Sequence, residues 1–298
     1  MRDEIRKLQE LMETADYVTD APIATSVHLA MRLRKPLLIE GPAGVGKTEV
    51  AKVMARMLGT NLIRLQCYEG LDASTALYEW NYQKQLLHIK LEEAGHNNRS
   101  MDEKEHEIFS EPFLLRRPLL QAITQESQAP VLLIDEVDRV EEEFEAFMLE
   151  VFSDWQVTIP EIGTIKATHP PHVILTSNRT RELSDALRRR CLYLWIDYPS
   201  LEKETRIIAR KVPGIDARLS REISKFMETL RQVRLAKVPG VAETLDWAQA
   251  LAALHADHLD EPILAETLGC LLKDSDDMKR FRAEVAKAGL GSFLPARS

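Results

Sequence analysis

Residues 41–48 read Gly-Pro-Ala-Gly-Val-Gly-Lys-Thr and fill every fixed position of the pattern G-x-x-x-x-G-K-[ST]. Glycines at this spacing let successive backbone N–H groups turn toward one anion, and a following helix presents its positive end to the same place. The chemistry this predicts is triphosphate binding. Gly41, Pro42, Ala43, Gly44, Val45 and Gly46 form the cradle, Lys47 reaches the β- and γ-phosphates, and the Thr48 hydroxyl holds Mg²⁺. The alternative is a glycine-rich turn that binds nothing. The flanks argue against it, because Pro36 to Glu40 is a short apolar run that reads as a buried strand. On the other side, Glu49 to Leu58 has the spacing of an amphipathic helix stopped by Gly59.

Three further groups of residues carry chemistry. Val131 to Ile134 is a fully apolar strand ended by Asp135 and Glu136. A carboxylate at that position can join a Mg²⁺ shell, and its neighbour can orient and deprotonate an attacking water. Asp135 takes the first role and Glu136 the second; a solvated acidic pair is the bland reading. The run Val173 to Asn178 ends a strand in a polar residue, so Asn178 could position the lytic water, against an ordinary turn asparagine. Finally, Leu187-Arg188-Arg189-Arg190-Cys191 sets three arginines before a strand. They read either as a solvated basic cluster or as the source of a guanidinium that reaches a neighbouring subunit's γ-phosphate.

Positioning these groups requires a particular set of elements. Residues 3–14 and 22–33 show helical spacing, 61–66 reads as a second strand, and 113–123 as a helix. Residues 141–152 form a helix with carboxylates at its positive end. Residues 155–159 and 163–167, joined through Pro160, suggest a hairpin, and 172–176, 184–190 and 191–196 read as strand, short helix and last strand. Strands alternating with helices predict a parallel α/β sheet. The polar stretch from Gly95 to Glu107 reads as an exposed loop, and Tyr78, Trp80 and Tyr82 alternate as on one face of a strand. Beyond Pro199 the five segments 201–212, 217–232, 242–255, 262–272 and 276–288 carry helical periodicity alone. That places a domain boundary near Pro199, with an α/β domain over 1–198 and a smaller all-α domain over 199–298.

Composition narrows the classes. The chain has 298 residues with 39 Lys and Arg against 47 Asp and Glu, a net charge of −8. This balance disfavours a large nucleic-acid footprint. No apolar run approaches a membrane span, and the charged start of the chain lacks a signal-peptide core, which together predict a cytoplasmic protein. Cys67, Cys191 and Cys270 are scattered and odd in number, giving neither a disulfide framework nor a thiolate metal cluster. His255 and His258, with Asp257 between them, fall at helical spacing and read as a polar helix face rather than a metal site. His169 and His172 flank two prolines and read as turn residues.

The stretches GPAGVGKT, LLIDE, ILTSN and LRRRC, in this order and followed by a helical segment, resemble AAA+ ATPases. More narrowly, YEGLDASTALYEWNY, EEEFEAFMLEVFSDWQVTIPEIGTIKATHPP and LTSNRTRELSDALRRRCLYLWIDYP are similar to the MoxR branch, in particular to members like the carbon monoxide dehydrogenase maturation ATPase. The resemblance runs from about Tyr17 through the helical segment. It implies a P-loop NTPase parallel-sheet sandwich with an all-α lid, ATP and Mg²⁺ as ligands, and a hexameric ring with nucleotide at subunit interfaces. It also implies mechanical work on a client protein in its maturation, metal-cofactor insertion being one such role, and a partner with a von Willebrand factor A domain. The trans arginine finger then maps to Arg190 first and Arg189 second. A helix-two insertion maps to about 68–93, and a hairpin before the asparagine strand to about 155–167. Both usually face a pore or substrate, which gives the aromatic run 78–82 a substrate-gripping alternative. One departure stands out: such lids commonly carry an arginine at the start of a late helix, and Gly240 to Trp247 supplies none. Either Arg234 or Lys237 takes its place, or nucleotide state is read mainly through Arg190.

Two other classes fit parts of this pattern. A nucleic-acid motor would need a local basic surface against the acidic balance. A nucleotide-dependent regulatory scaffold would make hydrolysis vestigial, and the intact Asp135, Glu136 and Asn178 argue against it.

Overall fold

A computed structural model describes residues 2–94 and 100–294. Helices α1 (Arg2–Thr14) and α2 (Ala21–Leu33) precede strand β1 (Leu37–Glu40), whose four residues are all buried. The glycine loop leads directly into α3 (Lys47–Leu58), and β2 (Leu62–Gln66) follows. Next come α4 (Ala73–Leu77), β3 (Tyr78–Trp80), α5 (Tyr82–Ala94), α6 (Met101–Ile108), β4 (Leu114–Arg116) and α7 (Pro118–Ile123). Then β5 (Val131–Asp135), α8 (Glu142–Asp154), the hairpin β6 (Gln156–Ile159) and β7 (Gly163–Lys166), β8 (His172–Ser177), α9 (Asp185–Arg190) and β9 (Leu192–Trp195) complete the α/β part. The remainder is helical: α10 (Leu201–Lys211), α11 (Ala217–Leu230), α12 (Val241–Ala253), α13 (Glu261–Leu271) and α14 (Ser275–Ala288).

The five strands form one parallel sheet in the order β2-β5-β8-β1-β9. Its central strands β5, β8 and β1 are buried along almost their whole length, with apolar runs that end in polar residues, as strands covered on both faces require. The register sets Gln66 beside Asp135 on β5, and Ile134 beside Leu175 on β8. Most of this sheet lies in a compact unit of residues 25–39 and 54–194. Its core joins Leu132, Ile134 and Leu175 from the sheet to Leu120, Ile123, Phe144 and Met148 from the helices.

The second compact unit gathers residues 1–24, 40–53 and 195–298. Its helical core centres on Phe226, Trp247, Phe281 and Phe293, with ring centroids 5.1–6.0 Å apart for Phe226 against the other three. Trp247 Nε1 donates to Thr267 Oγ1 at 2.8 Å, so the one polar atom of this buried indole is satisfied. In the same unit α10 pairs with the N-terminal helices: Lys203 with Asp20 at 2.6 Å, and Arg206 with Glu13 at 2.6 Å.

The segment between β2 and β5 departs from the sequence expectation. Met101–Ile108 is a helix, begun by a reciprocal capping box in which Ser100 Oγ accepts from Glu103 N–H and the Glu103 carboxylate accepts from Ser100 N–H. Positions 95–99 of the expected loop lie outside the described residues. Phe113–Ile123 is not one helix, because Leu114–Arg116 pairs with β3 and Pro118 holds Arg117 extended before the helix starts. The aromatic alternation also stops early. Trp80 is buried, whereas Asn81 accepts from Lys84 N–H and turns the chain into α5, leaving Tyr82 exposed.

Candidate active site

The glycine loop is built by close backbone approach. A Cβ on Gly41 would stand 1.9 Å from the carbonyl oxygen of Ile196, so no side chain fits there. Gly46 has φ +93 and open space where a Cβ would point, the concavity that a phosphate cradle needs. Lys47 is buried at the start of α3, and its ammonium donates to the carbonyls of Gly41 (2.8 Å) and Pro42 (2.7 Å). Thr48 follows in the first helical turn. Pro42, Ala43 and Val45 carry the loop between these points, with Val45 buried. The loop's tip lies against the start of α12: the N–H groups of Val241 and Ala242 donate to Gly44 O at 2.9 and 3.2 Å. A Cβ on Gly240 would come within 2.7 Å of Ala43 O. That crowding leaves no room for a side chain at Gly240, the residue that caps α12. Nearby, burial and the charges of Asp20 and Glu49 push the Tyr17 phenol well above its ordinary range.

The acidic group is organised within the sheet unit. Asp135 ends β5 and is buried; its Oδ1 accepts from Thr176 Oγ1 at 2.5 Å, and its Oδ2 from Arg64 Nη2 at 2.5 Å and Nε at 3.0 Å. The register explains both partners. Thr176 continues β8 beside Asp135, and Arg64 stands two residues before Gln66 on the same face of β2. Glu136 has φ +57, a left-handed conformation of the kind found where backbone is constrained at functional sites. Its N–H donates to Thr176 Oγ1 at 2.9 Å, and its carboxylate meets Arg139 Nε at 2.9 Å.

Asp138, two residues on, is also buried. Its carboxylate accepts from Asn178 N–H at 3.2 Å, Thr180 N–H at 2.8 Å and Thr180 Oγ1 at 2.7 Å. Asn178 is therefore tied through its backbone to the turn that carries Glu136. Burial and the charges of Asp135, Asp138 and Glu136 push the Cys67 thiol up to about 12, so the acidic field of these residues is felt at the end of β2. Sequence reasoning named Asp135, Glu136 and Asn178 but missed Arg64, Thr176 and Asp138. The signal for Thr176 was its place one residue before Ser177 at the end of an apolar strand. Asp138 carried only the weak signal of a carboxylate in a short turn.

The three arginines lie on α9, capped by Ser184 Oγ. Buried Glu145 on α8 fastens the segment just before it, accepting from Ser184 N–H at 2.9 Å and pairing with Arg181. Arg190 donates from Nη1 to Leu149 O at 2.8 Å and Ser153 Oγ at 3.2 Å, at the end of α8. Arg189 is exposed.

Other candidates fall into structural places. Arg231, which the sequence did not single out, is buried in a bidentate pair with Glu204, both bonds 2.7 Å, beneath the Tyr198 ring. Arg234 and Lys237 are exposed in the turn before α12, where the N–H groups of Ala236 and Lys237 hold the Asp277 carboxyl below its usual range. His255 and His258 lie beyond the end of α12, His255 at φ +55, so they share no helix face. His169 and His172 line a cavity of about 340 Å³ with Arg34, Lys35 and Trp155, next to the amino-terminal ends of β1, β5 and β8. Burial and Arg34 lower the His172 pKa there.

A parallel sheet in this strand order, with a glycine-rich phosphate loop between β1 and α3, defines a P-loop fold of the AAA+ type. The RuvB Holliday junction branch migration motor of Thermotoga maritima superposes with a TM-score of 0.50 at 18% identity, covering 95% of this chain and 76% of that one. A candidate ATPase from Cytophaga hutchinsonii superposes with a TM-score of 0.50 at 15% identity, covering 96% and 93%. At these identities the likeness is one of fold. In sequence, an uncharacterized protein of Staphylococcus epidermidis is 24% identical over 228 residues, 74% of this chain and 78% of its own length. One from Staphylococcus haemolyticus is 25% identical over 220 residues, 72% and 74% respectively. Residues 36–191 match the AAA domain of the dynein-related subfamily, and the chain belongs to that family. No helix among the described residues is long and apolar enough to cross a membrane.

Proposed function

We propose that this protein is a Mg²⁺-dependent ATPase that assembles into a cytoplasmic ring, with a hexamer as the expected form, and uses hydrolysis to remodel a client protein. The observation that carries the reading is a pair of hydrogen-bonded sets on adjoining turns, Thr176 with Asp135 and Glu136, and Asp138 with Asn178 and Thr180. A scaffold that only binds nucleotide has no need of a buried carboxylate that holds the asparagine loop to the turn bearing the base. In this reading 1–198 is the nucleotide-binding domain and 199–298 the lid.

Each residue has one task. Gly41 to Gly46 present N–H groups to the phosphates, and Lys47 moves its ammonium from Gly41 O and Pro42 O to the phosphate oxygens. Thr48 and Asp135 would hold Mg²⁺, which when bound neutralises charge on the β- and γ-oxygens. Glu136, released from Arg139, orients and deprotonates water, and Asn178 fixes that water's position. Arg190 or the outward-facing Arg189 completes a neighbour's site as the trans finger, a role worth roughly 10³–10⁵ in turnover in related machinery. The finer assignment, a MoxR-type maturation factor that works with a von Willebrand factor A domain partner and aids metal-cofactor insertion, rests on the motif resemblance alone.

The test is direct. Lys47→Ala abolishes ATP binding, Glu136→Gln keeps ATP bound but stops turnover, and Arg190→Ala or Arg189→Ala stops turnover while sparing binding. Mixing Glu136→Gln with the finger variant restores partial activity if sites are shared between subunits. Purified chain that neither binds nor hydrolyses ATP with Mg²⁺ refutes the reading.

A further inference from the structure

The insertion between β2 and β5 holds a cluster that the ATPase reading does not use. Helices α5 and α6 bring His88, Glu92 and Glu107 together, with one ligating atom of each within 4.8 Å of the others. His88 and Glu92 stand one turn apart on α5, and Glu107 comes from the last turn of α6. His88 Nε2 lies 3.4 Å from Glu107 Oε1 and 4.0 Å from Glu92 Oε1. Two ligands of a tetrahedral Zn²⁺, each about 2.1 Å from the ion, are about 3.4 Å apart. One of the three separations has that value, and the other two, both within 4.8 Å, are reached by side-chain rotation.

Two further observations point to a ligand rather than a chance meeting of charges. The Nε2 atom of His88 is fully buried and has no hydrogen-bond partner, although buried imidazole nitrogens are normally satisfied. The frame around it is also prearranged. The His88 ring packs edge-on against Phe113, with centroids 5.3 Å apart, which fixes where Nε2 points. Buried Gln85, one turn earlier on α5, donates to Ile108 O at 2.7 Å, the residue next to Glu107, so the two helices are pinned beside the cluster. Side-chain exposures of 31% for His88, 12% for Glu92 and 36% for Glu107 leave a path for an ion from solvent.

We propose that His88, Glu92 and Glu107 bind a divalent first-row transition ion, Zn²⁺ being the probe that fits the spacing. One imidazole and two carboxylates suit Zn²⁺ or Co²⁺ better than the soft ions that thiolates select. Three protein ligands leave a fourth position open, which makes this a site for an exchangeable ion rather than a closed structural one. The proposal does not rest on the ATPase reading, and Lys47→Ala leaves it untouched.

The experiment uses the full, untagged chain, stripped with a chelator and titrated with Co²⁺ while its visible d–d absorption is followed, then displaced with Zn²⁺. One tetrahedral-type equivalent per chain is expected. His88→Gln, Glu92→Gln and Glu107→Gln each weaken affinity by at least about tenfold, the size of loss seen even for outer-shell partners. His258→Ala, at an exposed His–Asp pair elsewhere, leaves it unchanged. Near-ultraviolet circular dichroism of the metal-free variants confirms their fold, and a Zn²⁺-dependent shift of the His88 imidazole resonances in wild type gives a readout free of any substitution. Absence of a one-to-one site in the wild type overturns the proposal. So does wild-type affinity in the three variants, or a loss that follows His258 instead.

Discussion

Replacing Asp138 separates its positioning role from simple loss of stability. In Asp138→Ala three donors lose their acceptor: the N–H groups of Asn178 and Thr180, and the Thr180 hydroxyl. The hydroxyl retains Asp138 O at 3.3 Å, so two backbone donors lose their acceptor, one on half-buried Asn178 and one on exposed Thr180. The half-buried Asn178 N–H accounts for an expected destabilisation of about 1–3 kcal/mol, and the Thr180 N–H, which water can reach, adds little. Asp138→Asn keeps one oxygen acceptor and loses mainly charge assistance, which predicts a loss of about 1–2 kcal/mol. Catalysis responds more sharply, because the Asn178 loop is then free to drift from the turn that carries Glu136. A displacement of about 1 Å costs about 10²-fold in turnover. Urea unfolding gives the stability change, and Mg²⁺-ATPase assays beside an ATP-binding titration give the split. The expected outcome for Asp138→Asn is kcat down about 10²-fold with ATP affinity within about twofold of wild type. A folded Asp138→Asn with wild-type kcat, or an Asp138→Ala that loses less than about 1 kcal/mol, refutes the reasoning.

Three further outcomes are expected. On the proposed function Arg64 would compete with Mg²⁺ for Asp135, but its side chain is 53% exposed, so the pair is worth no more than about 1 kcal/mol. Arg64→Met should therefore lower the Mg²⁺ concentration for half-maximal activity by up to about fivefold; a rise would show that Arg64 instead orients the carboxylate. Gly240→Ala places a Cβ 2.7 Å from Ala43 O and 2.8 Å from Gly44 Cα, both backbone atoms. The loop must shift, at a cost of about 1–3 kcal/mol, and calorimetric ATP titration should show weakened binding; unchanged affinity would mean that α12 gives way instead. Burial raises the Cys67 and Cys191 thiols to about 12. Both should resist iodoacetamide at pH 8 in the native protein and react once it unfolds. Because the folded pKa lies above the unfolded one, their contribution is complete below about pH 8.5 and is lost as pH rises toward 12. Thermal stability that climbs across that window would contradict the sign.

Much of the site was legible because local patterns carried it. The loop 41–48 announces itself through residue types that only a phosphate cradle requires together, and Val131 to Ile134 could hardly be other than a buried strand. Asp135 and Glu136 follow from their position at its end. The pairing of Arg64 and Thr176 with Asp135 was not legible, because it depends on the strand order β2-β5-β8 and its register. No sequence neighbour of Asp135 reveals that order. Asp138 was overlooked because a carboxylate in a turn is usually solvated, and only its burial marks it.

The insertion shows the same division. Sequence periodicity could not separate a polar loop from a capped helix over 101–108, since what settles it is the exchange between Ser100 and Glu103 and the packing of α6 beside α5. His88, Glu92 and Glu107 carry no motif across their separation, and the last is fifteen residues beyond its nearest partner. By itself, then, the sequence determined the phosphate loop, the alternation of strands and helices, and the helical remainder, because each depends on residues close in the chain. Tertiary structure alone decided which groups hold the acidic pair and the asparagine loop, which arginine is anchored, and which side chains converge in the insertion. Those outcomes depend on strand register and helix packing, which link residues that the chain keeps far apart.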